Sequence, residues 1–299
     1  MTSEEKKADV RRLGNLRGIL FISLAVLCFA VLDTLSKYLA QFYPVPLLLW
    51  GRYLVHVIIL AAIFGPKMGF GLVRTGQPVF QILRAVFLLA AGLLMITGFR
   101  YLPLAEATAI AFAAPLIVSA LSGPLLGEAA KRRDWVAVAI GFAGVLIIVR
   151  PGGTLLTFAA LLPLGTAVCN AMYQVMTRKF RGSESPITTN FITGVVGTGL
   201  TSLTLPFVWQ MPALIHIPLM IAMGIFGVTG HFLLIKAFSR AAPAVLSPFT
   251  YGQLLWAALL GFVAFGALPD HGSILGMLVI AASGLFVTYD YFFQQRKHA

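Results

Sequence analysis

Residues 78–127 read PVFQILRAVFLLAAGLLMITGFRYLPLAEATAIAFAAPLIVSALSGPLLG, and only Arg84, Arg100 and Glu106 carry charge in that stretch. A helix that crosses a bilayer needs about 20 mostly apolar residues. The stretch holds two such segments, near 78–101 and 103–127, with Leu102-Pro103 as the break. A link that short forces the two spans to lie antiparallel. A membrane β-barrel would show alternating segments of about ten residues; this run is continuous.

The same pattern extends outward through the chain. Of 299 residues, 59% are hydrophobic and 11% are charged, and the mean hydropathy is +0.91. A soluble domain carries about 25% charged residues, so a soluble globule is excluded. Disorder, which needs low hydrophobicity, is excluded too. Breaks at charges and Pro/Gly turns give eight further spans, near 17–41, 45–65, 134–150, 155–178, 186–208, 215–238, 243–267 and 272–293. Links such as Tyr43-Pro44-Val45-Pro46 and Arg150-Pro151-Gly152-Gly153 leave no room for a soluble domain. The basic N-terminus before an apolar run is reminiscent of a signal peptide. The run is too long and lacks an A-x-A site, so it reads as a retained first span. Cys28 and Cys169 lie inside apolar runs and read as small buried hydrophobes rather than a disulfide.

Net charge is +12, from 22 Lys and Arg against 10 Asp and Glu. In a soluble protein that excess would point to nucleic acid. Its placement points elsewhere. With the N-terminus inside, the inner segments hold Lys6, Lys7, Arg11, Arg12 and Arg17; Lys67 and Arg74; Lys131, Arg132 and Arg133; Arg178, Lys179 and Arg181; Lys236 and Arg240; Arg296 and Lys297. The outer segments hold Arg100 and Arg150, while Lys37, Arg52 and Arg84 fall within spans. The positive-inside rule then gives ten spans with both termini cytoplasmic and no nucleic-acid partner.

The chain also repeats itself. Cys28-Phe29-Ala30…Ser36-Lys37 resembles Cys169-Asn170-Ala171…Thr177-Arg178, and Phe99 and Gly127 match Phe238 and Gly266 at an offset near 139. Each half has a near-loopless third and fourth span. Five spans per repeat is odd, so the second copy inserts upside down, and such inverted repeats enclose a binding site near the midplane. The expected organisation is a cytoplasmic tail over 1–16, a first repeat over 17–150, a second over 151–293 and a tail over 294–299. The fold class is all-α, a polytopic membrane protein with ten helices in a 5+5 inverted repeat.

On Tyr101-Leu102-Pro103-Leu104-Ala105-Glu106-Ala107-Thr108-Ala109-Ile110, Pro115, Leu126-Gly127-Glu128, Gly141 to Gly144 and Val149-Arg150-Pro151-Gly152, the sequence resembles the drug/metabolite transporter superfamily. Within it the chain looks like the EamA-type ten-helix exporters, most of all the YddG-type amino-acid exporters. The second copy, 238–290, is weaker and has Ala267 where many relatives repeat the Glu. The resemblance implies export of amino acids, amphiphilic drugs or other small metabolites across a bacterial inner membrane, through a cavity lined by spans 1, 3, 4, 6, 8 and 9.

Ionisable groups inside a membrane are costly and functional by default. Asp33 and Arg52 lie at matched depths, about 12 and 10 Å from the outer ends of their spans. They read as an outer gate or coupling-ion site, or as a fixed ion pair of Asp33 with Arg52 or Lys37. Lys37 is expected to snorkel to the surface and Arg84 to snorkel inward. His56, near the midplane, suits a proton relay or a hydrogen bond to a neighbouring helix. Glu106 suits the positive N-terminus of span 4, and Glu128 with Lys131–Arg133 reads as a solvated loop. Two polar stripes at helical spacing read as cavity lining or interhelical contacts: Asn170, Tyr173, Gln174 and Thr177 on span 6, and Ser247, Thr250, Tyr251 and Gln253 on span 9. His231 lies at a depth that allows it to meet Tyr251. Met95 and Phe112 are candidate apolar wall, and Pro115 and Pro248 remove backbone donors where spans 4 and 9 would bend.

No G-x-x-x-x-G-K-[ST], H-E-x-x-H or G-x-S-x-G occurs, and the histidines 56, 216, 231, 271 and 298 are scattered. ATP drive, a metal site, a cofactor and hydrolytic catalysis are therefore not expected. The sequence reads as a monomeric or weakly dimeric exporter of amino acids and related metabolites, working by alternating access. The alternative is a proton-coupled multidrug antiporter with Asp33 or His56 as carrier. An intramembrane enzyme or a scaffold would need a catalytic cluster or a polar domain that this sequence lacks.

Overall fold

A computed structural model describes residues 3–126, 132–150, 157–179, 185–241 and 243–297. Among them the chain is built of helices: α1 (Ser3–Leu39), α2 (Val45–Met68), α3 (Pro78–Gly98), α4 (Leu104–Ala111), α5 (Ala114–Leu126), α6 (Arg132–Val149), α7 (Thr157–Lys179), α8 (Pro186–Ser202), α9 (Leu205–Val208), α10 (Ile217–Phe238), α11 (Pro243–Thr250), α12 (Gly252–Phe265) and α13 (His271–Lys297). Five are long and apolar enough to cross a membrane, the first over Asn15–Leu39, and shorter apolar helices cover Leu104–Val118, Trp135–Val149, Gly252–Phe265 and His271–Ser283. Large apolar side chains such as Leu20, Ile58, Phe142, Phe158, Leu255 and Val263 are exposed on the outside of the bundle. A soluble monomer does not tolerate so much apolar surface; a lipid-facing one requires it. The protein is a polytopic helical membrane protein.

Besides the span expected at 186–208, which ends as a long helix at Ser202 and resumes only as the short α9, two expected spans are not single helices. Span 4 stops at Ala111 and resumes at Ala114, and span 9 stops at Thr250 and resumes at Gly252. In span 4 the ladder slackens where Ala113 N–H donates to the Ile110 carbonyl and Leu116 N–H to the Ala113 carbonyl. Pro115 is the second residue of α5, where its missing N–H costs little. Pro248 lies in α11 three residues before Tyr251, but its ring falls outside the described side chains, as does the Ser247 hydroxyl. The helix that opens the chain starts at Ser3, so most of the expected tail continues span 1.

The packing follows a pseudo-twofold axis. α1 lies along α10 as α7 lies along α3; α2 packs on α8, and α6 on α13. The α6–α13 crossing shows the symmetry at atomic scale. Ser283 Oγ donates to the Ala137 carbonyl at 2.6 Å. The symmetry-related contact, Gly144 with Gly276, is backbone against backbone: a Cβ on Gly144 would stand 2.9 Å from the Gly276 carbonyl oxygen. One apolar core joins α4, α6, α7, α12 and α13 around Phe99, Leu104, Ile110, Ile148 and Ile280. A second joins α1, α2, α3 and α10 around Leu39, Leu49, Tyr53 and Met223. The broken spans belong to the first core, through α4, the start of α5 and α12.

Candidate functional site

The break residues meet. Phe112 and Tyr251 have ring centroids 5.5 Å apart, and both pack with Met95 on the first core. Their helices continue differently on the two sides. At the end of the bundle far from the N-terminus, α4 and α12 pack directly on each other and α1 lies against α12. At the near end, α5 packs on α6 and α7 while α11 packs on α1 and α13. The far halves of spans 4 and 9 therefore form a seal with Phe112 and Tyr251 at its inner edge.

Polar groups line the seal. Gln253, in the first turn of α12, donates from Nε2 to Asp33 Oδ2 at 3.2 Å. Arg52 acts on Asp33 electrostatically, yet no ion pair within 4 Å joins Asp33 to Arg52 or Lys37 among the described residues. The expected fixed ion pair is replaced by an amide contact that links the two repeats. Lys37 does reach the far end, but it is not simply solvated: Nζ donates to the Phe99 and Leu102 carbonyls, each at 2.6 Å, and lies over the Phe265 ring. Glu106 sits in the first turn of α4, 4% exposed, with Oε2 unpartnered and Ser273 beside it.

His231 does not meet Tyr251. Its ring stands 5.1 Å from Phe29 and 6.5 Å from His56, because α10 runs along α1 rather than along α12 at that depth. His56 is buried, faces the Asn190 backbone on α8 and leaves Nε2 without a partner. The hydroxyl of Tyr53, three residues earlier on α2, is also buried without a partner.

The largest departure from expectation is Arg84. It does not snorkel; it is 5% exposed. Its Nη2 donates to the Thr189 carbonyl at 2.9 Å and to Thr193 Oγ1 at 2.8 Å, and its Nη1 donates to Thr177 Oγ1 at 3.2 Å. The guanidinium lies 5.0 Å from the Tyr173 ring centroid. Gln81, one turn earlier on α3, donates to Thr189 Oγ1 at 3.1 Å. Part of the span-6 stripe, Tyr173 and Thr177, is thus gathered around a cation that depth alone would place at the interface. The sequence signal for this burial is the run Thr188-Thr189-Asn190…Thr193 on span 7, a hydroxyl face waiting for a donor. Asn170 is half-buried and Gln174 exposed. Thr250 is half-buried at the end of α11. Glu128 and Lys131 lie outside the described residues, as do the side chains of Arg132 and Arg133.

Among the described residues no group of His, Cys, Asp and Glu is arranged to hold a metal. Outside the spans, Asp270 begins α13: it accepts from Ser273 N–H and from Arg150 Nη2, both at 2.7 Å. These bonds hold its carboxyl below the usual carboxylate range, the Ser273 amide first.

The sequence profile of the EamA-like transporter family matches residues 16–150 and again 157–289. The S-adenosylmethionine uptake transporter of Rickettsia prowazekii (strain Madrid E) is 26% identical over 275 residues, 92% of this chain and 93% of that one. The riboflavin transporter of Vibrio cholerae serotype O1 is 28% identical over 281 residues, 91% and 93% of the two chains. A solved crystal structure aligns with a TM-score of 0.66 at 19% identity, covering 91% of this chain and 98% of that chain, a likeness of fold.

Proposed function

The chain belongs to the EamA-like transporter family, and we propose that it is a secondary transporter of small metabolites that carry an α-amino-acid head. It is a membrane transporter and not an enzyme; the proposal concerns what it carries and how. The observation that carries the reading is the crossing of the two broken spans at Phe112 and Tyr251, beside polar groups on both repeats. A discontinuous pair of helices at a repeat interface is where inverted-repeat carriers bind substrate and rock. Aromatic rings at the crossing suit an apolar or aromatic body. The interior polar groups Asp33, Gln253, Arg84 and Tyr173 suit a charged head.

S-adenosylmethionine, named for the Rickettsia relative, is itself an α-amino acid with an aromatic base. The amino-acid reading and that relative therefore point to one chemistry. Riboflavin shares the aromatic body and not the head. Direction is set by the gradient, so the same cycle serves export or uptake. The positive-inside bias supports cytoplasmic termini and an outer position for the far end; on that orientation the arrangement corresponds to access from the cytoplasm.

The test is counterflow in proteoliposomes that contain the purified chain, with labelled S-adenosylmethionine, phenylalanine and riboflavin, and no proton gradient. Exchange of the first two supports the reading. Exchange of riboflavin alone, or of none, overturns it.

A further inference from the structure

Arg84 is a buried cation without a buried anion. Among the described residues no carboxylate lies within 4 Å of it, and its Nε has no partner. Three of its five N–H groups are used, on Thr177 Oγ1, the Thr189 carbonyl and Thr193 Oγ1. A guanidinium taken out of water without a counter-charge is costly. If its task were to tie α3 to α8, a neutral amide would serve, and one turn earlier Gln81 does that already by donating to Thr189. The charge itself must have a use.

The second orphan sits beside it. Gln81 Oε1 is buried and has no partner. Residues three apart on a helix share a face, so a free donor on Arg84 and a free acceptor on Gln81 are presented together. Arg84 and Gln81 are 5% and 6% exposed. The cluster is not closed on every side, because Thr177, which accepts from Arg84, is exposed. A donor carrying positive charge next to an acceptor is the complement of a zwitterion whose carboxylate and ammonium are one carbon apart. The Tyr173 ring lies 5.0 Å from the guanidinium on one side, and the unpartnered Nε is buried, so a head group reaches it only as the helices around it part.

We propose that Arg84 and Gln81 form the subsite for the substrate's head group, Arg84 taking the carboxylate through its free N–H groups and Gln81 Oε1 taking the ammonium. The proposal rests on the amino-acid reading above and names the residues that enforce it. It also makes the buried charge conditional: the cation is neutralised only while substrate is bound.

The experiment uses the full chain in proteoliposomes, with two pairs of probes that differ only in the head group. These are phenylalanine with phenylalaninamide, and S-adenosylmethionine with its decarboxylated form. Wild type should prefer the carboxylate member of each pair by about tenfold to a hundredfold in half-saturating concentration, the range for one charge-assisted hydrogen bond. The variant Arg84→Gln, which keeps hydrogen-bonding capacity toward the threonines, should lose that preference, with the half-saturating concentration of the carboxylate member of each pair rising about tenfold or more relative to that of its carboxylate-free partner. Gln81→Leu should weaken all four probes, since each retains an amine.

Equal handling of acid and amide by wild type overturns the proposal, and needs no variant to fold. Equal loss of both members in Arg84→Gln overturns it too, and makes Arg84 a structural tie. Riboflavin exchange that survives Arg84→Gln, with no exchange of either amino acid, leaves a transporter standing but removes both the head-group subsite and the amino-acid reading.

Discussion

Lys37 and Arg100 each close the end of the other's helix. Lys37, near the end of α1, donates to the Phe99 and Leu102 carbonyls that follow α3. Arg100, just after α3, donates to the Ala40 and Tyr43 carbonyls that follow α1, at 2.9 and 2.8 Å. The last carbonyls of a helix have no partner within it, and cations there also meet the negative end of the dipole. The exchange binds spans 1 and 3 at the end where α4 and α12 pack together; on the proposed alternating-access reading it belongs to one state of the cycle.

Lys37→Met should therefore loosen the seal without unfolding the chain. Two carbonyls lose a charged donor, each such bond contributing about 1.5–3 kcal/mol where water is excluded. In a background with Cys28 and Cys169 replaced, a cysteine at Gln253 should react faster with a membrane-impermeant thiol reagent added from the far side. An unchanged rate would show that the exchange is not part of the seal.

The Phe112–Tyr251 contact should be detected as a coupling. Offset aromatic pairs contribute about 0.5–1.5 kcal/mol beyond burial. Phe112→Ala and Tyr251→Ala should each slow exchange, and the double variant should be less impaired than the product of the two. Strict multiplicativity would mean that the rings touch without acting together.

How much of this is legible in the sequence follows from what each signal depends on. Spans and their number depend on local hydropathy, which survives any packing, and the 139-residue offset places Tyr251 opposite Phe112 with no knowledge of either break. The span-4 break lies in an apolar run where only Pro115 hints at it, whereas the span-9 break falls inside the polar stripe of Ser247, Thr250, Tyr251 and Gln253, three residues after Pro248. Depth along a helix is also readable, but azimuth is not. Asp33 and Arg52 have matching depths, yet the rotation of α1 turns Asp33 to Gln253. Arg84 departs from expectation for the same reason: its depth permits snorkelling, and only the juxtaposition of α3 with α8 supplies hydroxyls that hold it inside.

Asp33→Asn separates the two coupling schemes. The Gln253 amide can still donate to the carbonyl oxygen of the substituted side chain, so the inter-repeat contact persists while the charge is lost. A carrier that does not move protons should keep exchange and show no change in pH dependence. Loss of pH-driven efflux with exchange intact would favour the proton-coupled antiporter.

The α6–α13 crossing gives a stability test. Alanine at Gly144 would bring its Cβ within 2.8 Å of Ile280 Cγ1 and 2.9 Å of the Gly276 carbonyl oxygen, the latter a backbone atom that can yield only if the helices move apart. Overpacking of this kind costs about 1–3 kcal/mol, so Gly144→Ala should lower the melting temperature of the detergent-solubilised chain. Gly199→Ala is the control, because nothing stands within 4 Å of the added carbon there.

At the far end, pH acts through Asp270. Its carboxyl is held below the usual range by the Ser273 amide and by Arg150. The contribution to stability is thus complete above the ordinary carboxylate range, near pH 4, and fades only as pH falls through the depressed value. Both partners are about half exposed, at 45% and 55%, so the ion pair adds little and the cap to α13 dominates. Asp270→Ala should cost about 1 kcal/mol, the usual worth of an N-terminal cap, by the same amount at every pH from 5 to 8. Asp270→Asn should restore most of it, since an amide oxygen also accepts from Ser273. A loss that grows steadily between pH 5 and 8 would show that another titrating group, not the cap, governs this end of the bundle.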